Sequence, residues 1–197
     1  MKRAQFEELL VQSLEHERGG VKVYTAALAC ATNGDLKEEW QKYLGQTTKH
    51  VEKLESLCAS LGIDTRTERP GQLVVRSVGE ALVRAMELAR SAGEPNAAEI
   101  VAAECVVLAE TKDHLDWELI VKCAEELRGD EAASVRQVAE AIEDEEDEHL
   151  YHSRGWCREL WLQSLGLKAI LPPPEERKHV KTAIGAAHAE QAAERQR

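Results

Sequence analysis

Aromatic residues and strand-like patterns are scarce in this chain of 197 residues. It contains one Phe, three Tyr and four Trp, and no stretch alternates strictly between β-branched and polar residues. A half-buried β-strand requires such alternation. The chain is instead rich in Ala, Leu, Glu and Lys, which favour helices. The sequence therefore predicts an all-α fold.

Long apolar segments and an excess of basic residues are also missing. No apolar run approaches the roughly 20 residues of a transmembrane helix, and the first ten residues lack the apolar core of a signal peptide. The net charge of −11, from 36 acidic and 25 basic residues, would repel a phosphate backbone. We expect a cytoplasmic protein that binds neither a membrane nor nucleic acid.

Paired cysteines and nucleotide-binding or nucleophile motifs are lacking as well. The five cysteines are odd in number, widely spaced and never form a C-x-x-C pair. This pattern is typical of reduced, packed cysteines and not of a disulfide framework or a thiolate metal site. Because there is no G-x-S-x-G, P-loop or Rossmann glycine pattern, a hydrolase or nucleotide enzyme is not indicated.

Turn and capping signals divide the chain into helices. Capping-box patterns at Asp35 with Glu38 and at Asn96 with Glu99 predict two helix starts. The four long predicted helices cover about residues 3–32, 35–61, 96–128 and 131–165. The first two helices and the last two are each joined by a tight turn, which predicts two antiparallel hairpins. Together they would form a four-helix bundle with one long crossover.

The crossover and the end of the chain complete the predicted organisation. A short amphipathic helix is predicted at 74–92 within the crossover. The apolar positions of this amphipathic pattern are Val75, Val78, Leu82, Ala85 and Leu88. The bundle is predicted to occupy residues 1–171, and three consecutive prolines then end it. Residues 172–197 are predicted to be a polar tail, either helical or disordered.

Each long helix has a predicted inward face, obtained by stepping alternately three and four residues along it. Each series is apolar or aromatic at both ends and polar near its middle. The polar positions are Glu17, Thr47, His50, Glu110, His114, Glu146 and His149. Because the centres of antiparallel helices of similar length lie at one level, these side chains are predicted to converge on one layer.

A layer of buried carboxylates requires compensation. An isolated buried carboxylate costs several kcal/mol unless it is paired or bound to a cation. No Lys or Arg lies on the inward series, so the carboxylates either take up protons or share a metal ion. Glu and His ligands suit iron, manganese or zinc. Glu146-x-x-His149 places both groups one turn apart on one helical face, and a two-metal centre uses Glu as a bridge.

With these residues, the segment 3–165 resembles the ferritin-like superfamily of di-iron carboxylate proteins, which includes rubrerythrin and bacterioferritin. That family places one Glu from each of two helices, and one E-x-x-H motif from each of the other two, around two irons. The matching residues are Glu17, His50, Glu110, Glu146 and His149. This sequence departs from the family at Thr47, where the first E-x-x-H motif has its Glu. His114, one turn beyond Glu110, is a candidate replacement ligand.

The resemblance implies a metal-binding protein with one or two iron ions in its core and with iron-oxidation or peroxide chemistry. Oxygen or peroxide would be the oxidant, and a homo-oligomer, most simply a dimer, would be the assembly. The alternative is a non-catalytic helical assembly module with a degenerate or structural metal site, which Thr47 favours. The acidic run 143–148 also fits a solvated face in another register, with Glu145 beside His149. His50 and His114, taken singly, also fit structural histidines.

Overall fold

The computed structural model describes residues 1–171 and 174, and all five of the regular elements in this part of the chain are α-helices. The helices are α1 (Arg3–Cys30), α2 (Gly34–Ser60), α3 (Pro70–Ser91), α4 (Pro95–Glu126) and α5 (Gly129–Ser164). The predicted all-α fold is therefore confirmed. The predicted tail, apart from Pro174, lies outside the described residues. None of the described helices is long and apolar enough to span a membrane.

The four long helices form a closed ring, in which α1 and α5 each contact both α2 and α4. The contacts between α1 and α4 show that these helices are antiparallel. Ser13 in the first half of α1 donates to Asp116 in the second half of α4, and Thr32 beyond the end of α1 donates to Glu99 near the start of α4. The ring encloses one central region that all four helices face.

The crossover helix α3 lies outside this ring, against α1 and α4. It runs parallel to α1, because Arg76 in its first half binds Glu15 and Met86 in its second half accepts a hydrogen bond from Cys30. Only part of the apolar stripe of α3 is buried: Val78 and Leu88 are 52% and 73% exposed. The buried residues of α3 are Gln72, Val75 and Met86.

A pair of glycines explains this rotation of α3. A Cβ atom added at Gly79 would lie 3.6 Å from the Cα atom of Gly19 in α1, so the two helices meet at residues without side chains. This contact directs the face that carries Gly79 towards α1. The neighbouring apolar stripe that contains Val78 and Leu88 consequently faces outward.

The two predicted capping boxes are also not formed. Asn33 is the N-cap of α2, and its side-chain oxygen accepts hydrogen bonds from the backbone N–H groups of Asp35 and Leu36 at 3.0 and 3.1 Å. Glu94 precedes α4 without capping it through its side chain. Glu99 instead accepts hydrogen bonds from the backbone of the α1–α2 turn. This buried carboxylate therefore ties the start of α4 to that turn.

Two apolar clusters occupy the two halves of the bundle. One includes Tyr24, Trp40 and Tyr43 and lies towards the α1–α2 turn. The other includes Leu14, Leu54, Trp117 and Ile142 and lies towards the α4–α5 turn. Between the two clusters lies a layer of buried polar side chains.

Candidate metal centre

Five of the predicted site residues lie together in this layer, one or two from each long helix. All five are buried, and four of them have no exposed surface. They are Glu17 from α1, His50 from α2, Glu110 from α4, and Glu146 and His149 from α5. The long helices bring them together because their central turns lie at one level.

The ligand-type atoms of these residues form two groups of three. The first group consists of Glu17, His50 and Glu146, and the second of Glu110, Glu146 and His149. Within each group the atoms lie within 4.8 Å of one another, a spacing that could hold a metal ion. Glu146 belongs to both groups. Its carboxylate therefore lies between two adjoining sites.

The two imidazole rings face Glu146 from opposite groups. His50 Nδ1 lies 2.9 Å from Glu146 Oε1 and 3.5 Å from Glu17 Oε1. His149 Nδ1 lies 3.3 Å from the same Glu146 oxygen and 3.6 Å from Glu110 Oε2. The ring centroids are 5.9 Å apart, with the rings inclined by 27°. Both Nδ1 atoms thus point into the layer.

The outer nitrogen of each ring is held by a residue outside the two groups. His50 Nε2 lies 2.7 Å from Glu145 Oε2, and His149 Nε2 lies 3.1 Å from Gln46 Oε1. Metal-binding histidines almost always donate their second nitrogen to such a carboxylate or carbonyl, which fixes the tautomer. In a neutral ring with Nε2 as the donor, Nδ1 would present its lone pair to an ion in the layer.

Buried polar atoms without a hydrogen bond are concentrated in this layer. They include Glu17 Oε2, His50 Nδ1, Glu110 Oε2, Asp113 Oδ1, both carboxylate oxygens of Glu146, and His149 Nδ1. His50 Nδ1 is close to Glu146, but the angles do not suit a hydrogen bond. Buried polar atoms in proteins are normally paired. A cation between these atoms would satisfy most of them at once.

Burial and neighbouring charges shift the pKa values of the acids in the layer in different directions. Burial, together with the charge of Glu146, raises the pKa of Glu17 to about 7 and also raises the pKa of Glu110. Burial would lower the pKa values of His50 and His149, but the adjacent carboxylates outweigh it and raise both to about 10. Burial would raise the pKa of Glu146, but the two imidazolium groups outweigh it and lower that pKa. Without a metal, protons on the rings therefore balance part of the negative charge.

Asp113 is a fourth buried carboxylate that the sequence pattern missed. It is 4% exposed, and burial together with the charges of Glu17 and Glu146 raises its pKa well above the ordinary value. The predicted inward face of α4 continues from Glu110 to His114, four residues later. In the structure, the residue that faces the layer is Asp113, three positions after Glu110. Asp113 shares the Glu110 face at that shorter step, which is the signal that could have identified it.

His114 lies outside both groups. Its side chain is 16% exposed, with Nδ1 at 3.1 Å from Asp147 and Nε2 at 3.5 Å from Glu118. The structure thus does not bring this predicted substitute ligand into the layer. His114 instead contacts acidic residues at the α4–α5 surface.

Thr47 occupies the position at which a complete E-x-x-H motif on α2 would carry Glu. It is buried, and its hydroxyl offers no anionic oxygen. A Cβ atom added at Gly20 would lie 3.1 Å from the Thr47 methyl group, so α1 and α2 approach closely here. α2 therefore contributes one imidazole to the layer and no carboxylate.

The fold and the layer together define an all-helical protein with two buried Glu/His groups that could hold metal ions. Compared with protein-family models, curated proteins and solved structures, the chain shows no significant match. The functional conclusion consequently depends on the residues of the layer.

Proposed function

We propose that this chain is a ferritin-like metal-binding protein that holds two divalent ions, iron by preference, in its bundle core. The observation that carries the proposal is the sharing of Glu146 between two buried ligand groups. A shared carboxylate is the simplest way for a protein to hold two cations side by side. Four antiparallel helices and a long crossover agree with the resemblance that the sequence suggests.

Charge balance supports two ions over one. Glu17, Glu110, Asp113 and Glu146 would carry four negative charges when ionised. Among the described residues, no Lys or Arg forms an ion pair with any of them, and their only ion-pair partners are His50 and His149. Two divalent cations would neutralise four carboxylates and leave both imidazoles as neutral ligands.

The surrounding residues would tune such a centre. Glu145 and Gln46 orient the two imidazoles, and Trp117 Nε1 donates to Glu17 Oε1 at 3.1 Å. The apolar clusters on either side limit access of water to the layer. Iron held by carboxylates and imidazoles supplies electron transfer with oxygen or peroxide. We therefore propose iron oxidation or peroxide removal as the activity.

A second candidate function is a non-catalytic helical module with one structural ion. Thr47 is the observation that favours this function. Because α2 supplies no carboxylate there, Glu146 is the only Glu present in both groups, and two ions would have a single carboxylate to share. Zinc would suit such a redox-inert site. The two functions differ in ion stoichiometry and in reactivity towards oxidants.

Anaerobic titration of the metal-free protein with iron(II), and separately with manganese(II), tests the proposal. We expect two ions per chain for the wild type, one for Glu110→Gln and none for Glu146→Gln at the same metal concentrations. His114→Gln is the matched control, since it changes a histidine outside the layer, and it should retain two ions. Exposure of the iron-loaded protein to oxygen or peroxide, followed by Mössbauer spectroscopy, should show conversion to iron(III).

The possible outcomes separate the two functions. A folded metal-free protein that takes up no iron would refute the metal-binding proposal. Two ions retained by Glu146→Gln would refute the shared carboxylate. One ion that resists both oxidants would support the structural module instead.

A further inference from the structure

A second cluster of buried polar residues lies next to the layer and shares no residue with the two ligand groups. This Glu39 cluster consists of Glu39 and Tyr43 from α2 and His152 and Trp156 from α5. Glu39 Oε1 accepts a hydrogen bond from the Tyr43 hydroxyl at 2.5 Å and lies 2.9 Å from His152 Nδ1. Glu39 Oε2 accepts a hydrogen bond from Trp156 Nε1 at 2.6 Å. One carboxylate thus connects three side chains.

The Glu39 cluster extends from a candidate ligand to the surface of the bundle. The Tyr43 ring centroid lies 4.2 Å from that of His149, with the rings inclined by 44°, so the two rings are in contact. Trp156, at the other end, is partly exposed. The ring contact joins the layer to Tyr43, and the hydrogen bonds to Glu39 join Tyr43 to Trp156 at the surface.

The hydrogen bonds also provide Tyr43 with a proton acceptor. Burial would raise the pKa of Glu39, but hydrogen bonds from His152, Tyr43 and Trp156 outweigh it and lower that pKa. Burial and the charge of Glu39 raise the pKa of Tyr43, so the phenol is neutral. A phenol that loses an electron also loses its proton, and proton transfer requires an acceptor within hydrogen-bond reach. Glu39 Oε1 is such an acceptor.

Tyr24 provides an internal comparison. It is also fully buried, and its ring lies 6.1 Å from the His149 ring. Its hydroxyl is near Glu110, whose charge together with burial raises the pKa of the phenol, but it forms no hydrogen bond of ordinary geometry. Of the two tyrosines beside the layer, Tyr43 alone combines ring contact with His149 and a hydrogen-bonded carboxylate.

We propose that Tyr43 is a one-electron relay between the candidate metal centre and the Trp156 edge of the bundle, with Glu39 as its proton acceptor. This role rests on the proposed redox function. When iron is bound, oxygen or peroxide would oxidise it, and the ion would then accept one electron from Tyr43 across the ring contact with His149. The phenolic O–H bond breaks, the proton moves to Glu39 Oε1, and a neutral phenoxyl radical remains. An external one-electron reductant at Trp156 returns the electron, and Glu39 returns the proton.

The first test uses the metal-free protein and therefore does not depend on metal binding. The chain has three tyrosines, so a Tyr151→Phe background leaves Tyr24 and Tyr43 as the only candidates. Flash photolysis with a soluble ruthenium photo-oxidant should produce a tyrosyl radical, detected by transient absorption. We expect Tyr43→Phe to reduce its yield about tenfold or more, and Tyr24→Phe to leave it within about twofold.

Two further measurements separate a relay from a structural role. Glu39→Gln should slow radical formation about tenfold or more, because the amide accepts no proton. Deuterated water should slow it in the wild type, since the proton leaves with the electron. Thermal melts of each variant identify any that fail to fold, and the isotope effect in the wild type needs no variant. An unchanged radical yield in Tyr43→Phe, or no isotope effect, would overturn the relay.

The second test uses iron-loaded protein and stoichiometric peroxide, with freeze-quench electron paramagnetic resonance. A tyrosyl signal should appear in the wild type and be lost in Tyr43→Phe, while both bind the same amount of iron. A signal that persists in Tyr43→Phe and is lost in Tyr24→Phe would assign the radical to Tyr24 and refute the proposal. Failure to bind iron would refute the proposed function, while the photolysis result would still decide whether Tyr43 relays electrons.

Discussion

Raising the pH from about 7 to about 8.5 should destabilise the metal-free protein and leave the metal-loaded protein nearly unchanged. His50 and His149 have pKa values of about 10 in the folded state, against an ordinary value of 6.5. A raised imidazole pKa means that the folded state holds a proton that the unfolded state has released. The resulting stabilisation is fully present below pH 6.5 and is lost as the pH rises towards 10.

The size of this destabilisation follows from the number of protons that the folded state binds in excess of the unfolded state. Each pH unit within this range lowers the free energy of unfolding by up to about 1.4 kcal/mol per imidazole. A rise of about 1.5 pH units therefore costs about 2 kcal/mol for one ring and about 4 kcal/mol for both. For a chain of 197 residues, one kcal/mol shifts Tm by about 2–4 °C. The metal-free protein should thus lose at least about 4 °C.

Two other groups with shifted pKa values, His16 and Glu17, add little to this range. Burial lowers the pKa of His16 to about 4. Above pH 7 this ring is therefore largely deprotonated in both the folded and the unfolded state. Glu17, with a pKa of about 7, is also largely ionised at the upper end of the range. In the metal-loaded protein both rings are already deprotonated as ligands, so there is no proton left to lose. The pH dependence should consequently disappear on loading.

Circular-dichroism melts of chelator-treated and manganese-loaded protein measure both profiles. His50→Gln should make the decline smaller, because it removes one of the two rings. His114→Gln is the control and should keep the full decline, since that ring lies outside the layer. A metal-free protein whose Tm stays constant or rises between pH 7 and 8.5 would refute the assignment of protons to the layer.

Two substitutions test how the layer balances its charge. Thr47→Glu supplies the carboxylate that α2 lacks, so metal affinity in isothermal titration should increase about tenfold or more, while Tm without metal falls because another carboxylate is buried; unchanged affinity would contradict this. Asp113→Asn should raise the metal-free Tm at pH 7, because burial and the charges of Glu17 and Glu146 disfavour the ionised carboxylate only in the folded state and raise its pKa. The same variant should weaken binding of one ion about tenfold or more, and two ions bound at wild-type affinity would show that Asp113 takes no part.

The central layer could be predicted from the sequence because it depends on regular features. Tight turns join helices of similar length within each hairpin, so polar residues at mid-helix must meet. The apolar series on either side of Glu17, His50, Glu110 and Glu146 fixes which face of each helix turns inward. A single helical period was therefore enough to place these residues in one layer.

The remaining features depend on contacts between segments that are distant in the sequence. Helical periodicity alone does not decide between the residues three and four positions after Glu110, so packing selected Asp113 over His114. The face of α3 depends on its contact with Gly19, which lies 60 residues before Gly79. Glu99 satisfies backbone groups of the α1–α2 turn, 66 and 67 residues away. No local pattern contains these relationships.

The unlike outer partners of the two imidazoles make the halves of the layer inequivalent. His50 is held by Glu145, a partly exposed carboxylate. Burial would raise the pKa of Glu145, but hydrogen bonds from His50 and Gln46 outweigh it and lower that pKa. His149 is held by Gln46, a neutral amide. A carboxylate partner makes an imidazole a stronger electron donor than an amide does. Two identical ions would therefore experience different ligand fields, and the ion beside His50 would be the more easily oxidised of the pair.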